Sequence, residues 1–283
     1  MLDYIMVMDF IEVLKIIFLG IIEGVTEWLP VSSTGHMLLV DQFIHLKGSE
    51  AFKETFFIVI QLGAILAVIV AFFNKMVPIK VENGKPLWKK ETLNVWLKVI
   101  VACIPGVIAV LFDDVVESYL HGPYVIATAL IVYGVLFIII EKTNKTKTPK
   151  ITSLESLSFK TAFLIGLFQV LAIIPGTSRS GATIIGALIL GVSRTTAAEF
   201  TFFLAVPVML GYSLLKIVKF LLAGGTLLGV ETLAIVIGSV VAFLVSLLVV
   251  KLLMAFVKKN TFIPFGVYRI ILGAVVVIYF LCI

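Results

Sequence analysis

The sequence predicts an all-α polytopic membrane protein made of two inverted-topology repeats, each a re-entrant helical hairpin followed by three transmembrane helices. Three observations carry this reading. The 283 residues are 61% hydrophobic and only 14% charged, with a mean hydropathy of +1.18. No soluble domain sustains that balance, and long apolar runs mean helices rather than a barrel. The sparse polar residues gather in two stretches, Gly20–His36 and Gly166–Thr183. Those stretches share one register: at a fixed offset Gly20 meets Gly166, Glu23 meets Gln169, Ser32 meets Ser178, Thr34 meets Ser180 and Gly35 meets Gly181. The same offset carries Phe56-Phe57 onto Phe202-Phe203, while Pro30 and Pro175 fall one place out of step. Polar matches that share one register point to an internal duplication.

Taken in order, residues 10–29 form an apolar helix carrying Glu12, Lys15, Glu23 and Glu27. It should end near Pro30, because the residue before a proline is pushed out of the α region. Ser32, Ser33 and Thr34 then offer hydroxyls to the amides that open the next helix. The segment that follows, from about His36 to Ile44, is too short to cross a core of ~30 Å, which takes ~20 residues. A hairpin over about 10–46 that dips in and returns is the simplest solution, since irregular backbone is tolerated at depth where it lines a protein-walled cavity.

Full spans are expected at about 54–73, 93–112 and 122–141, completing a first repeat over 1–141. A polar, threonine-rich linker at 142–157 separates it from a second repeat over 158–283. There a hairpin over about 159–192 is broken at Pro175-Gly176, and spans follow at about 196–218, 230–257 and 262–283. Three spans per half make the second half enter from the opposite face, so the two breaks meet near the midplane within one integral membrane domain.

Loop charges orient this plan. Lys75, Lys80, Lys85, Lys89 and Lys90 share one face with Lys142, Lys145, Lys147, Lys150, Lys160 and Lys258-Lys259. Asp113, Asp114 and Glu117 lie on the other, with Lys47, Lys53 and Lys219 as scattered positives. The positive-inside rule makes the lysine-rich face and the linker cytoplasmic, and turns the mouth of the first hairpin outward. The net charge of +5 therefore reports orientation, and no nucleic-acid partner is expected. The acidic opening residues lack a typical signal peptide. Cys103 and Cys282, both in apolar runs, give neither a disulfide framework nor a cysteine metal site.

Brought together, the two breaks hold Glu23, Glu27, Ser32, Ser33, Thr34, His36, Ser178, Arg179 and Ser180. Glu23 and Glu27 are four apart and share a helix face. Two like charges on an apolar face persist only with a cation, an arginine or a shared proton between them. As hard-oxygen donors they suit a divalent cation, Mg²⁺ or Ca²⁺. Arg179 can fork onto phosphate or carboxylate oxygens, and two helix N-termini bring free amides that suit an anion. Such a pocket describes a phosphate-ester or diphosphate site. His36 and a neighbouring hydroxyl supply a base and a nucleophile, or the imidazole itself attacks phosphorus.

Blander readings stand beside these. The acids can simply pair with Arg179 and brace the hairpins, the serines can be caps, and His36 can be a satisfied hydrogen-bonder. His45 and His121 fall at loop or span ends, and Gln61 and Glu199 read as structural polar partners. Against all of them stands the concentration of scarce polar residues in two matched breaks.

The run Gly20-Ile-Ile-Glu23-Gly-Val-Thr-Glu27-Trp-Leu-Pro-Val-Ser-Ser-Thr-Gly-His36 resembles the first signature of the bacterial undecaprenyl-diphosphatases, membrane phosphatases of bacitracin resistance. Pro175-Gly-Thr-Ser-Arg179-Ser-Gly-Ala-Thr183 resembles their second signature. Ile60-Gln61-Leu62-Gly63, the run from Glu199 to Pro207, and Ile263-Pro264-Phe265 through Tyr268-Arg269 also fit, so the resemblance covers nearly the whole chain. It implies hydrolysis of undecaprenyl diphosphate to undecaprenyl phosphate and inorganic phosphate with a divalent metal, recycling the cell-wall lipid carrier. It implies residence in the bacterial inner (cytoplasmic) membrane, an outward-opening site, homodimers, and an indirect link to bacitracin through the shared lipid. By motif position, Glu23 and Glu27 match the metal and general-base acids, Ser33 and His36 the candidate nucleophile and its partner, and Arg179 the phosphate-binding arginine. Ser32, Thr34, Ser178 and Ser180 surround the phosphate in this reading. The competing class is a lipid-phosphate transporter, because inverted repeats meeting at broken helices are also a transporter design. A purely structural membrane protein with buried ion pairs is the third.

Overall fold

The computed structural model describes residues 9–82, 85–110, 119–120, 122–227 and 229–282. The acids Asp113, Asp114 and Glu117, and His121, lie outside the described residues.

Helix α1 (Phe10–Thr26) opens on Asp9, whose carboxylate accepts from Glu12 N at 2.7 Å. Five turn residues separate it from Ser32, which caps α2 (Ser33–Asp41). The apolar run then continues as α3 (Glu50–Ala71), capped by Ser49. A single turn, α4 (Phe73–Met76), leads into an antiparallel hairpin of β1 (Ile79–Glu82) and β2 (Lys85–Trp88). The loop expected at 74–92 therefore has structure of its own. Alternation around Val81 and Leu87 is too short to signal a strand beside a lysine-rich background, and pairing supplies the order.

The first half closes with α5 (Lys90–Val110) and α6 (Pro123–Asn144). The second half likewise opens on two short helices and continues with three long ones: α7 (Phe159–Val170), a 3₁₀ turn (Leu171–Ile173), α8 (Arg179–Ile189), α9 (Arg194–Leu222), α10 (Gly229–Val257) and α11 (Ile263–Cys282). The second break falls where Pro175 requires it. Ile174 is extended (φ −75°, ψ 116°), as the residue before a proline must be. Gly176 follows at φ +90°, and a Cβ there would lie 2.5 Å from Ile126 O, so only glycine fits.

Among the described residues five helices are long and apolar enough to cross a membrane: α3, α6, α9, α10 and α11. Large side chains such as Leu66, Ile139, Leu244, Leu248, Leu252 and Ile278 stay exposed on their outer faces. That apolar girdle identifies a multi-pass membrane protein. The five matching spans shift at their ends by a few residues at most, with α3 beginning at 50 rather than 54 and α9 running to 222 rather than 218; the end of the sixth, expected at 93–112 where α5 runs, lies outside the described residues.

Packing partners are exchanged between the halves. α1 and α3 lie on α10, while α7 and α9 lie on α5; α3 meets α9, and α6 meets α11. Small residues make these crossings close. A Cβ on Gly63 would lie 2.2 Å from Ser239 O, and one on Gly166 2.2 Å from Ala102 O, the close backbone approach typical of helices in lipid. Aromatic rings fill the centre, with Trp28 edge-on to Phe202 at 5.4 Å. One end is tied by Arg194, which donates Nε to Glu141 Oε1 at 2.9 Å and Nη2 to Oε2 at 2.6 Å, while Phe262 N donates to Glu141 Oε1 at 2.9 Å.

Candidate active site

The two breaks meet at Glu27. This residue follows α1 directly, and its N–H still donates to Glu23 O at 3.0 Å, so the last helical turn aims its side chain. The carboxylate is 9% exposed. From across the molecule, Arg179 in the first turn of α8 donates Nη2–H to Glu27 Oε1. From the near side, Ser33 Oγ donates to Glu27 Oε2 at 2.9 Å. One carboxylate thus binds a guanidinium and orients a hydroxyl. Ser180 Oγ, 3.4 Å from Leu29 O and 3.1 Å from Ser178 Oγ, seats the start of α8 against the first break.

Two buried atoms in this cluster have no hydrogen-bond partner among the described residues: Glu23 Oε1 and Arg179 Nε. Glu23 lies within electrostatic reach of both Glu27 and Arg179. Leaving a buried polar group unmade costs about 1–3 kcal/mol. Each such unmade group in the cluster therefore calls for an explanation, of which a ligand is one.

His36, one turn into α2, is engaged at both ring nitrogens. Nδ1 lies 2.7 Å from Ser32 O, and Nε2 lies 2.6 Å from Tyr268 Oη. A carbonyl only accepts, so Nδ1 carries the proton; Nε2 of the neutral ring then accepts from the Tyr268 hydroxyl. The two rings lie nearly parallel, 8° apart.

Ser32 and Ser178 stand at equivalent places, and their geometry matches. Ser32 has φ 74° and ψ 100°, Ser178 φ 69° and ψ 120°. Each Oγ caps its own helix, accepting from Gly35 N at 3.3 Å and from Gly181 N at 3.2 Å. For these two the plainer reading as caps describes their contacts. Thr34 is exposed on α2. Glu199 pairs with Lys75 at 2.7 Å, a structural ion pair as expected. Among the described residues no three His, Cys, Asp or Glu side chains cluster as a protein-only metal cage.

Two residues that the resemblance included without giving them a role prove central. Tyr268 holds His36, and Arg269 is fully buried against both breaks. The available signal was an arginine inside the otherwise apolar run of α11, where a charge is costly enough to need a purpose.

Residues 16–275 match the family model described as "Bacitracin resistance protein BacA". The chain is 60% identical to an undecaprenyl-diphosphatase of Enterococcus faecalis, covering 96% of this chain and 99% of the relative. It is 57% identical to one of Lachnoclostridium phytofermentans (97% and 99% covered) and 56% identical to one of Streptococcus equi subsp. equi (96% and 98% covered). Full-length similarity of this strength, on a chain whose two signature stretches converge on Glu27, means that the protein belongs to the bacitracin resistance protein BacA family.

Proposed function

We propose that the protein hydrolyses undecaprenyl diphosphate to undecaprenyl phosphate and inorganic phosphate, recycling the lipid carrier of cell-wall synthesis and thereby conferring bacitracin resistance. Its relatives carry that enzyme's name. The observation that carries the chemistry is Glu27 held between the Arg179 guanidinium and the Ser33 hydroxyl, with Arg179 Nε unspent beside them.

In this reading Ser33 Oγ is the nucleophile and Glu27 takes its proton, the arrangement of a hydroxyl activated by an adjacent base. Oγ bonds to the terminal phosphorus, and the bond from that phosphorus to the bridging oxygen breaks. Undecaprenyl phosphate leaves with the electron pair. Water then cleaves the phosphoserine, returning the proton to Ser33 and releasing orthophosphate. Arg179 turns its free N–H toward the phosphoryl oxygens, where negative charge gathers. His36, with both nitrogens engaged, holds the Ser32–Ser33 turn in place. Attack by His36 would first require the Tyr268 hydrogen bond to break.

The oxygen donors fit a hard divalent ion, Mg²⁺ or Ca²⁺: Glu23 Oε1 is buried and unspent next to Glu27. Bound there with substrate oxygens completing its shell, the ion would supply Lewis-acid neutralisation of the diphosphate. The apolar tail lies among the spans. A groove of about 380 Å³, lined by Val125, Ala129, Val132, Tyr133, Ile174 and Thr177, leads to the second break.

The same proposal includes two inverted repeats with re-entrant hairpins. It is supported by the exchanged packing of the halves, by the paired φ/ψ of Ser32 and Ser178, and by helices α2, α7 and α8, which are too short to cross. The lysine-rich loops put the linker in the cytoplasm of a bacterial inner membrane and the site toward the outer face. We include a homodimer in the proposal.

The test is phosphate release from undecaprenyl diphosphate by the purified protein in detergent, with Mg²⁺ and with chelator. Release that stops with chelator and returns with added Mg²⁺ is expected. No release from folded protein with metal present would turn the reading to lipid translocation.

A further inference from the structure

We propose that Arg269 is a positioning residue that locks the two broken turns together and so aims Arg179 at Glu27. It rests on the reading of Glu27, Ser33 and Arg179 as the reacting cluster.

Arg269 lies on α11 and is 0% exposed. A charge in that setting normally finds a carboxylate. Instead the acceptors that its guanidinium reaches are backbone carbonyls from three segments. Nη1 donates to Pro30 O at 3.2 Å in the first break. Nη2 donates to Gly176 O at 2.8 Å and Thr177 O at 2.9 Å in the second. Nε reaches Leu130 O of α6 at 3.4 Å, and the Tyr133 ring lies 5.6 Å from the guanidinium carbon. The first turn of α8 leaves room for it: a Cβ on Gly181 would come within 3.3 Å of Nη1.

The carbonyls of Pro30, Gly176 and Thr177 lie in the two breaks, where no helical ladder supplies a donor. Thr177 is two residues before Arg179, and Pro30 is three after Glu27. One planar guanidinium therefore fixes the backbone on both sides of the Arg179–Glu27 contact. A lysine ammonium keeps the charge but cannot fan donors across three segments.

The test is a double-mutant cycle. Phosphate release is measured as kcat and KM, with thermal unfolding in detergent, for Arg269→Lys, Arg179→Lys, the double variant and Glu27→Gln. Arg269→Lys should fold and lose roughly 10- to 100-fold in kcat, the scale of a small misplacement at a reacting centre. The double variant should be no slower than Arg179→Lys alone within about twofold, because aiming a fork that is absent gains nothing. Wild-type kcat in Arg269→Lys, or losses that multiply in the double variant, would overturn the proposal and leave the site reading standing. Wild-type turnover in both Arg179→Lys and Glu27→Gln would overturn the site reading, and this proposal with it. If Arg269→Lys does not fold, Arg269→Gln takes its place in the cycle. Failure of both to fold makes Arg269 a folding residue and overturns its positioning role.

Discussion

Glu27 accepts from a cation on one oxygen and from a hydroxyl on the other, and this division of labour sets what each substitution should do. Glu27→Gln keeps the shape but removes the base and the charge that Arg179 answers. Its kcat should fall by about 10²- to 10⁴-fold, the range for losing a positioned general base, in protein that still binds detergent-solubilised substrate. Arg179→Lys keeps the charge and loses the fork; turnover close to wild type would remove the bidentate role. Ser33 and His36 differ in the intermediate they leave. A quenched reaction with terminally labelled substrate should yield a phosphoenzyme stable to acid and labile to base, as a phosphoserine is. An acid-labile adduct would assign the attack to His36 instead. These residues stood in the two signature stretches, so the identity of the cluster was legible from the chain. The bond from His36 to Tyr268 was not, because hydrogen-bond partners 232 positions apart leave no local trace.

At the scale of elements, the breaks are built by two residues of different kinds. Pro30 and Pro175 lie inside the breaks, and a serine at positive φ restarts each helix. Non-glycine residues in such regions carry strain, which the surrounding contacts hold in place. Ser178→Ala should lose the cap to Gly181 N and keep the strain, costing about 1 kcal/mol or more. Ser178→Gly should cost only a few tenths, because glycine adopts positive φ freely. Unfolding midpoints in detergent would show the order. Alanine as stable as glycine would mean that neither strain nor cap matters there. The breaks were legible because proline, serine and glycine act locally. The β1–β2 hairpin was not, since two four-residue strands offer too little pattern to stand out from a charged loop.

The whole molecule depends on helices that approach closely across the two halves. Gly166→Ala would drive a Cβ to 2.2 Å from Ala102 O, a backbone atom that cannot swing aside. It should lower stability by about 1–3 kcal/mol, the usual scale of overpacking. Gly211→Ala is the matched control. Nothing lies within 4 Å of its new Cβ, so stability should hold or rise by at most about 1 kcal/mol. Equal effects at the two positions would mean that the α5–α7 crossing is looser than its geometry. The control matters because both glycines sit inside helices and look alike in sequence.

The sequence by itself determined the membrane class, the positions of the helices, and the two polar stretches that the fold brings together. Each of these follows from local physics: apolar length, the φ restriction around proline, and a polar pattern too costly to bury without purpose. Only the tertiary structure decided that the halves exchange partners, that Tyr268 meets His36, and that Arg269 joins the two breaks. Those outcomes depend on which carbonyls are left unpaired when distant segments meet. A chain specifies that pairing only once it is folded.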